Sequence, residues 1–182
     1  CAATLAGDEE TRLEERKGHA YLFDSVRRLK DDHPDLRVLI LGDGPLRAQL
    51  EAQCLRLGID DIVGFLGHRP DLAKVLAASD ISVLTSLWEG LPRVLVQSAA
   101  AGKPILTFDV EGAWEVVRDG TNGFVVPSRD VDTFTTRLAT LLTGRAEARA
   151  LGQAGRNHVG EQWAVETMLE RRDDQYTRWA SS

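Results

Sequence analysis

Residues 36–58, LRVLILGDGPLRAQLEAQCLRLG, change their pattern halfway along. They begin with LRVLILG, a largely apolar run ended by glycine, which is typical of a strand covered on both faces. The following PLRAQLEAQCLRLG has Pro45 at a first helical position and ends at Gly58, as a well-bounded helix does. A buried strand that runs directly into a helix predicts a parallel sheet covered by helices.

The same alternation extends in both directions along the chain. We predict strands at 1–5, 36–42, 62–67, 81–86, 103–109 and 123–127, with helices at 19–33, 45–58, 71–80 and 91–102, followed by helices at 130–144, 145–163 and 164–179. Strands separated by helices of this length imply right-handed crossovers. The expected fold class is therefore α/β, a doubly wound, Rossmann-like parallel sheet with a core of about residues 1–142 and C-terminal helices of about 145–179. In such a sheet, ligands bind beyond the carboxyl ends of the strands.

Composition excludes several classes of function. The 182 residues are 43% hydrophobic and 27% charged, which suits one globular domain, or one domain with a terminal appendage. The net charge of −6 argues against a nucleic-acid partner. Cys1 and Cys54 form no metal-like spacing, and no apolar run approaches the roughly 18–20 residues that span a bilayer, so we expect a reduced, cytoplasmic setting. Because the sequence opens at CAATL without Met, we expect it to be part of a longer protein.

Two Gly-containing turns could approach a ligand. Gly42-Asp43-Gly44 follows a predicted strand, but Arg47 stands where a dinucleotide-binding GxGxxG needs its third glycine. A tight strand-to-helix turn is the favoured interpretation, and a dinucleotide-dependent oxidoreductase domain is a distant alternative.

Lys17 and Gly18 immediately precede a predicted helix, whose free N–H groups could hold phosphate oxygens together with the Lys17 ammonium. Such a pair is also common on surfaces.

Residues 86–104, SLWEGLPRVLVQSAAAGKP, contain two polar side chains eight positions apart. Glu89 lies in a Gly/Pro loop before a helix, where a carboxylate could simply stabilise the helix N-terminus. Gln97 lies within the apolar helix near the face of Arg93, where it could be a buried, hydrogen-bonded amide. Alternatively, both side chains reach hydroxyl groups of one ligand at the helix end, since carboxylates and amides accept such bonds.

With the ordered motifs KG, GDGP, FLG, SxxEGxP, AGKP and DGxxGFxVP, the sequence resembles, over roughly residues 17–142, the C-terminal half of a family-four, GT-B-fold retaining glycosyltransferase. In that family this half binds a nucleoside-diphosphate sugar as substrate, with no further cofactor and usually no metal. The resemblance implies that Lys17 contacts the pyrophosphate and that Glu89 contacts the donor sugar. Gln97 stands where the family usually has a second Glu on the ribose. The remaining implied contacts are the backbone of Gly90, Leu91, Pro92, Arg93 and Val94 near the sugar and phosphates, and Gly67, His68 and Arg69 near the base.

The sequence departs from the family pattern at the first strand. The family's arginine joins the lysine on the pyrophosphate, and Arg12 has the right spacing from Lys17. If CAATL is the first strand, however, Thr4 takes that place. The N-terminal acceptor domain of a GT-B enzyme is not accounted for, so we expect these residues alone to be inactive and any membrane-surface association to reside elsewhere. A non-catalytic nucleotide-sugar binding module is the closest alternative.

Overall fold

A six-stranded parallel sheet organises the described residues, 2–5 and 13–162, of the computed structural model. The strands are β1 (Ala2–Leu5), β2 (Arg37–Leu41), β3 (Val63–Gly67), β4 (Ile81–Leu84), β5 (Ile105–Phe108) and β6 (Gly123–Val126). The helices are α1 (His19–Leu29), α2 (Arg47–Leu57), α3 (Leu72–Ala78), α4 (Arg93–Ala100), α5 (Ala113–Val116), α6 (Val131–Thr143) and α7 (Arg145–Gln162), and a 3₁₀ turn (Glu15–Lys17) precedes α1.

The order of the strands fixes where a ligand can bind. It is β3-β2-β1-β4-β5-β6, and every neighbouring pair is parallel. The chain therefore starts in the middle of the sheet, winds outward through β2 and β3, and returns to the other side of β1 with β4. Helices α1 and α4, which follow β1 and β4 along the chain, lie on opposite faces of the sheet, and this leaves a crevice between them at the carboxyl edge. This arrangement confirms the predicted doubly wound α/β fold.

Helices cover both faces of the sheet because alternate strand residues point to opposite sides. On β5, Leu106 and Phe108 belong to the core beneath α1, α2 and α6, whereas Ile105 belongs to the core beneath α3, α4 and α5. All three side chains are fully buried. The apolar runs at β2, β4, β5 and β6 correspond to mostly buried strands, whereas the edge strand β3 leaves Leu66 37% exposed.

Three features differ from the sequence-based prediction. The short helix α5, Ala113–Val116, was not predicted, because four residues are too few to show a helical period. Pro92 is the cap residue before α4, with an extended ψ of 95°, and not its first helical residue. Pro45 is not a first helical residue either, because it precedes Leu46, the cap residue of α2. The predicted helix at 164–179 lies outside the described residues.

Candidate functional site at the carboxyl edge of the sheet

The strand order brings Lys17 and Glu89 together although 72 residues separate them. Lys17 belongs to the 3₁₀ turn that leads into α1, and Glu89 lies in the loop between β4 and α4. β1 and β4 are neighbours in the sheet, so the segments beyond their carboxyl ends meet in the crevice described above. The site predicted from two separate motifs is therefore one place in the fold.

Close packing fixes the turn that carries Lys17. Gly18 adopts a left-handed φ of 63° between the 3₁₀ turn and α1, and a Cβ at this position would lie 2.1 Å from the carbonyl oxygen of Thr85. The Thr85 hydroxyl donates to the carbonyl of Lys17 at 3.1 Å, and the Leu87 N–H donates to the carbonyl of Arg16 at 2.7 Å. A residue without a side chain is required here because the turn lies directly against the segment that follows β4.

Lys17, Arg16 and Glu89 form an ion cluster. The Lys17 ammonium (Nζ) lies 2.7 Å from Glu89 Oε1, and an Arg16 guanidinium nitrogen lies 3.2 Å from Glu89 Oε2. The side chains of Lys17 and Glu89 are only 12% and 13% exposed. Burial by itself raises the pKa of the Glu89 carboxyl, but the hydrogen bond from Lys17, a side-chain interaction with Ser86 and the charges of Lys17 and Arg16 outweigh burial and hold that pKa below its ordinary value. Glu89 is thus an ionised side chain held by two cations, which is a more specific role than a charge at a helix end.

His19, the first residue of α1, is a buried neutral imidazole. Its side chain is 2% exposed, and its Nε2 has no hydrogen-bond partner among the described residues. Burial, and secondarily the charge of Lys17, lower the pKa of His19 to about 4. Its ring lies 6.5 Å from that of Phe23, so His19 packs in the core and does not cap the helix.

Gln97 is exposed, and the interpretation that it is a buried amide is wrong. Helix α4 turns Val94, Leu95, Ser98 and Ala99 toward the core and leaves Gln97 on the outer face. There it lines a mostly apolar groove between α3 and α4, together with Leu72, Ala73, Leu76, Ala100 and Ala101. A polar side chain at the rim of a groove is open to a ligand, but the structure does not bring Gln97 into contact with Glu89.

The predicted base-binding loop follows β3, three strands from β4. With neighbouring strands about 4.8 Å apart, roughly 14 Å separates the ends of β3 and β4. Gly67 has a left-handed φ of 66°, and Arg69 makes a two-pronged contact with Asp71 through hydrogen bonds of 2.8 Å. Gly67 also accepts a backbone hydrogen bond from Gly42 at 2.8 Å, which joins this loop to the GDG turn.

The GDG turn, Gly42-Asp43-Gly44, packs directly against the backbone of Leu13. A Cβ on Gly44 would lie 2.5 Å from the backbone nitrogen of Leu13, and that N–H donates to the carbonyl of Asp43 at 3.0 Å. The glycine therefore admits the buried Leu13 segment, which favours the tight-turn interpretation over a dinucleotide site. Arg12 lies outside the described residues. Thr4 lies within β1, paired with Leu39 and Ser82, so the choice between Arg12 and Thr4 for the family's arginine position stays a prediction.

Three large apolar side chains are exposed around Glu89. Trp88 is 59% exposed, Leu91 42% and Trp114 55%. The loops that carry them touch, because a Cβ on Gly112 would lie 2.4 Å from the carbonyl oxygen of Gly90. The Trp114 ring is fixed by a hydrogen bond of 2.7 Å from its Nε1 to Asp109. A rim with this much exposed apolar surface is typical of a binding face.

Residues 11–158 match the protein family described as "Glycosyl transferases group 1". The chain belongs to this family. Among relatives of this glycosyltransferase domain is "Putative glycosyltransferase EpsD" of Bacillus subtilis, which is 31% identical over 157 residues, 85% of this chain and 41% of that protein. Another is the GDP-mannose-dependent monoacylated alpha-(1-6)-phosphatidylinositol monomannoside mannosyltransferase of Corynebacterium glutamicum, 34% identical over 170 residues, 88% of this chain and 44% of that protein.

Solved structures agree on the fold. The domain superposes on Anabaena HepE in complex with UDP with a TM-score of 0.87 at 24% identity, covering 97% of this chain and 48% of that one. It superposes on a mutant of S. aureus TarM, solved with UDP among its ligands, with a TM-score of 0.88 at 17% identity, covering 95% of this chain and 34% of that one. The fold is that of a Rossmann-like domain of the GT-B glycosyltransferases. The chain spans less than half the length of these relatives.

None of the helices in the described residues is long and apolar enough to cross a membrane. Among the same residues, no group of three or more His, Cys, Asp or Glu side chains is arranged to hold a metal ion.

Proposed function

We propose that this domain binds a nucleoside-diphosphate sugar and serves as the donor half of a retaining glycosyltransferase. The observation that carries the proposal is the contact between Lys17 and Glu89 in the crevice between β1 and β4. Open α/β sheets bind ligands at this position, and an ammonium beside a carboxylate offers one group for phosphate and one for sugar hydroxyls. The family membership supports the class of reaction.

In the proposed complex, the donor lies along the carboxyl edge of the sheet. Its base lies near Gly67, His68 and Arg69, and its ribose lies near Gln97. Its diphosphate contacts Lys17, and its sugar contacts Glu89. The backbone from Gly90 through Leu91, Pro92 and Arg93 to Val94 lines the diphosphate and sugar. The interval of about 14 Å between the ends of β3 and β4 suits an extended nucleoside diphosphate, which supports this placement.

The chemistry assigned to the domain is stabilisation of the leaving group. During transfer, the bond between sugar C1 and the diphosphate oxygen breaks, and its electron pair stays with the diphosphate. The acceptor hydroxyl forms the new bond to C1 on the same face of the sugar, and its proton passes to the departing phosphate. Lys17 and the N-termini of α1 and α4 would neutralise the charge that develops on the diphosphate, and the proposal needs no further cofactor. Glu89 would orient the sugar.

We further propose that the acceptor binds to a companion N-terminal domain of the same polypeptide, across the crevice. The exposed Trp88, Leu91 and Trp114 support this, because they give the carboxyl edge an apolar rim that another surface could cover. Under this proposal the 182 residues alone transfer no sugar, and any association with a membrane surface comes through the companion domain, in the cytoplasm. Appreciable turnover by the purified 182-residue chain would contradict it.

Calorimetric titration tests the donor assignment. UDP, GDP, ADP and NAD should be compared, and at least one nucleoside diphosphate should bind. Lys17→Ala should then lower the affinity for that diphosphate by roughly 10- to 150-fold, because a charge-assisted hydrogen bond contributes about 1.5–3 kcal/mol. The affinity for the matching nucleoside should hardly change. Lys30→Ala is a matched control, since Lys30 bonds the carbonyl of Gly58 at the other end of α1. Binding of NAD with no binding of any nucleoside diphosphate would overturn the proposal in favour of an oxidoreductase domain.

A further inference from the structure

Arg16 is anchored to the site at three points. Its backbone carbonyl accepts from the Leu87 N–H at 2.7 Å, which ties it to the loop that carries Glu89. Its Nε donates to Glu14 at 3.2 Å, and a terminal guanidinium nitrogen donates to Glu89 at 3.2 Å. A guanidinium held from both sides presents a fixed donor to the carboxylate.

The two oxygens of Glu89 have different partners. Oε1 accepts from Lys17 and Oε2 from Arg16. In the proposed complex, Lys17 turns to the diphosphate, which leaves Oε1 available for a sugar hydroxyl. Without Arg16 the carboxylate would then have lost both of the cations that hold it. With Arg16 in place, Oε2 stays bound, and the plane of the carboxylate is kept.

We propose that Arg16 is a positioning residue, which holds the Glu89 carboxylate for the donor sugar while Lys17 binds the diphosphate. The inference rests on the proposed function and adds a residue to it. Arg16 is a poorer candidate for direct phosphate binding, because its Nε is engaged by Glu14 and the Glu14 carboxylate would repel an approaching phosphate. Its positioning role should therefore appear in the ratio of the affinities for the sugar conjugate and the diphosphate.

The test compares each diphosphate with its sugar conjugate on the 182-residue chain: UDP with UDP-glucose, GDP with GDP-mannose, and ADP with ADP-glucose. For the pair that binds, Arg16→Ala should weaken both ligands through the loss of one nearby positive charge and should in addition lower the preference for the conjugate by roughly 2- to 10-fold, as expected for one hydrogen bond. Arg16→Lys should restore part of the preference. Arg28→Ala, which breaks an exposed ion pair with Asp132 at the far end of α1, controls for the loss of one positive charge.

A second readout does not depend on the ligand. In the unliganded chain, Arg16→Ala should raise the carboxyl pKa of Glu89, followed by ¹³C NMR, while melting curves show whether the variant is folded. If Arg16→Ala weakens diphosphate and conjugate equally, Arg16 binds phosphate and the positioning role is wrong. An unchanged preference in a folded variant also overturns that role and leaves the donor assignment intact. Failure of every diphosphate to bind overturns the proposed function and this inference together.

Discussion

Replacing Glu89 by Gln should make a nucleoside diphosphate bind more tightly. In the structure, Lys17 and Arg16 carry two positive charges, and Glu89 and Glu14 carry two negative ones, so the cluster is neutral. A diphosphate must draw Lys17 away from a carboxylate only 2.7 Å distant, and it meets the repulsion of that carboxylate as it approaches. Gln is nearly the same shape but uncharged, so Glu89→Gln removes both obstacles and leaves the cluster with one net positive charge.

The structure sets the size of this effect. A hydrogen bond to a charged group contributes about 1.5–3 kcal/mol. Lys17 keeps 12% of its side chain exposed, and water replaces part of the lost contact, so we expect a gain of about 1–2 kcal/mol, or roughly 5- to 30-fold in affinity. The sugar conjugate should gain less, because it also loses the carboxylate that orients its hydroxyls. The preference for conjugate over diphosphate should therefore fall.

Calorimetry at low and high salt provides the assay. The gain should shrink as ionic strength rises, since it is electrostatic. It should also disappear in the Lys17→Ala background, because a double-mutant cycle isolates what passes through Lys17. Melting curves check that the variant is folded at the temperature of the titration. If folded Glu89→Gln binds the diphosphate no better than the wild-type chain, the Lys17–Glu89 pair does not compete with phosphate and the reasoning fails.

Three further predictions concern His19 and Gly18, next to the cluster in sequence, and Gln97 in the groove between α3 and α4. Because burial lowers the pKa of His19 to about 4, the imidazole is protonated in the unfolded chain below about pH 6.5 while it is still neutral in the folded chain. The unfolding free energy of the wild-type chain should therefore fall by about 3 kcal/mol as the pH is lowered from about 6.5 to about 4. Denaturant titrations of His19→Leu should not show this decrease. Gly18→Ala should lower the unfolding free energy by at least about 2 kcal/mol, since its φ is 63° and its Cβ would lie 2.1 Å from the Thr85 carbonyl oxygen, whereas Gly160→Ala, with no atom within 4 Å, should be neutral or stabilising in the same melts. Gln97→Glu should increase the preference for a ribose nucleotide over its 2′,3′-dideoxy analogue by roughly 3- to 10-fold, because a charged acceptor strengthens the hydrogen bonds to the ribose hydroxyls. If the variant binds the two nucleotides with equal affinity, the ribose lies elsewhere.

The secondary structure was largely predictable because the local signals agree with the fold. Residues 36–58 place strand β2 and helix α2 within a residue or two of their predicted positions, and Gly58 ends the helix in a left-handed conformation with φ 61°. Apolar runs bounded by Gly and Pro specify buried strands, whatever the order of those strands in the sheet. The edge strand β3 is the exception, because its apolar run leaves Leu66 37% exposed.

The ion cluster could not be predicted in the same way. Lys17 and Glu89 meet because β1 and β4 are neighbours, and strand order depends on the packing of helices distant in sequence. The role of Arg16 was missed because, without that order, it is one of many charged residues before a helix. The sequence alone does not show that both Lys17 and Arg16 lie close enough to Glu89 to bind its carboxylate.

The exposure of Gln97 could have been predicted from helical periodicity. A residue four positions after the exposed Arg93 lies on the same face, so the period alone places Gln97 outward. The expectation of a buried amide came from its apolar neighbours, but the polar side chain that α4 does bury is Ser98, which pairs with Ser82 of β4 through a hydrogen bond of 2.7 Å. One helix thus places a small hydroxyl against the sheet and a longer amide at the rim of a groove. The amide is then accessible to a ligand without the cost of burying it, which is why we assign the ribose to Gln97 and a packing role to Ser98.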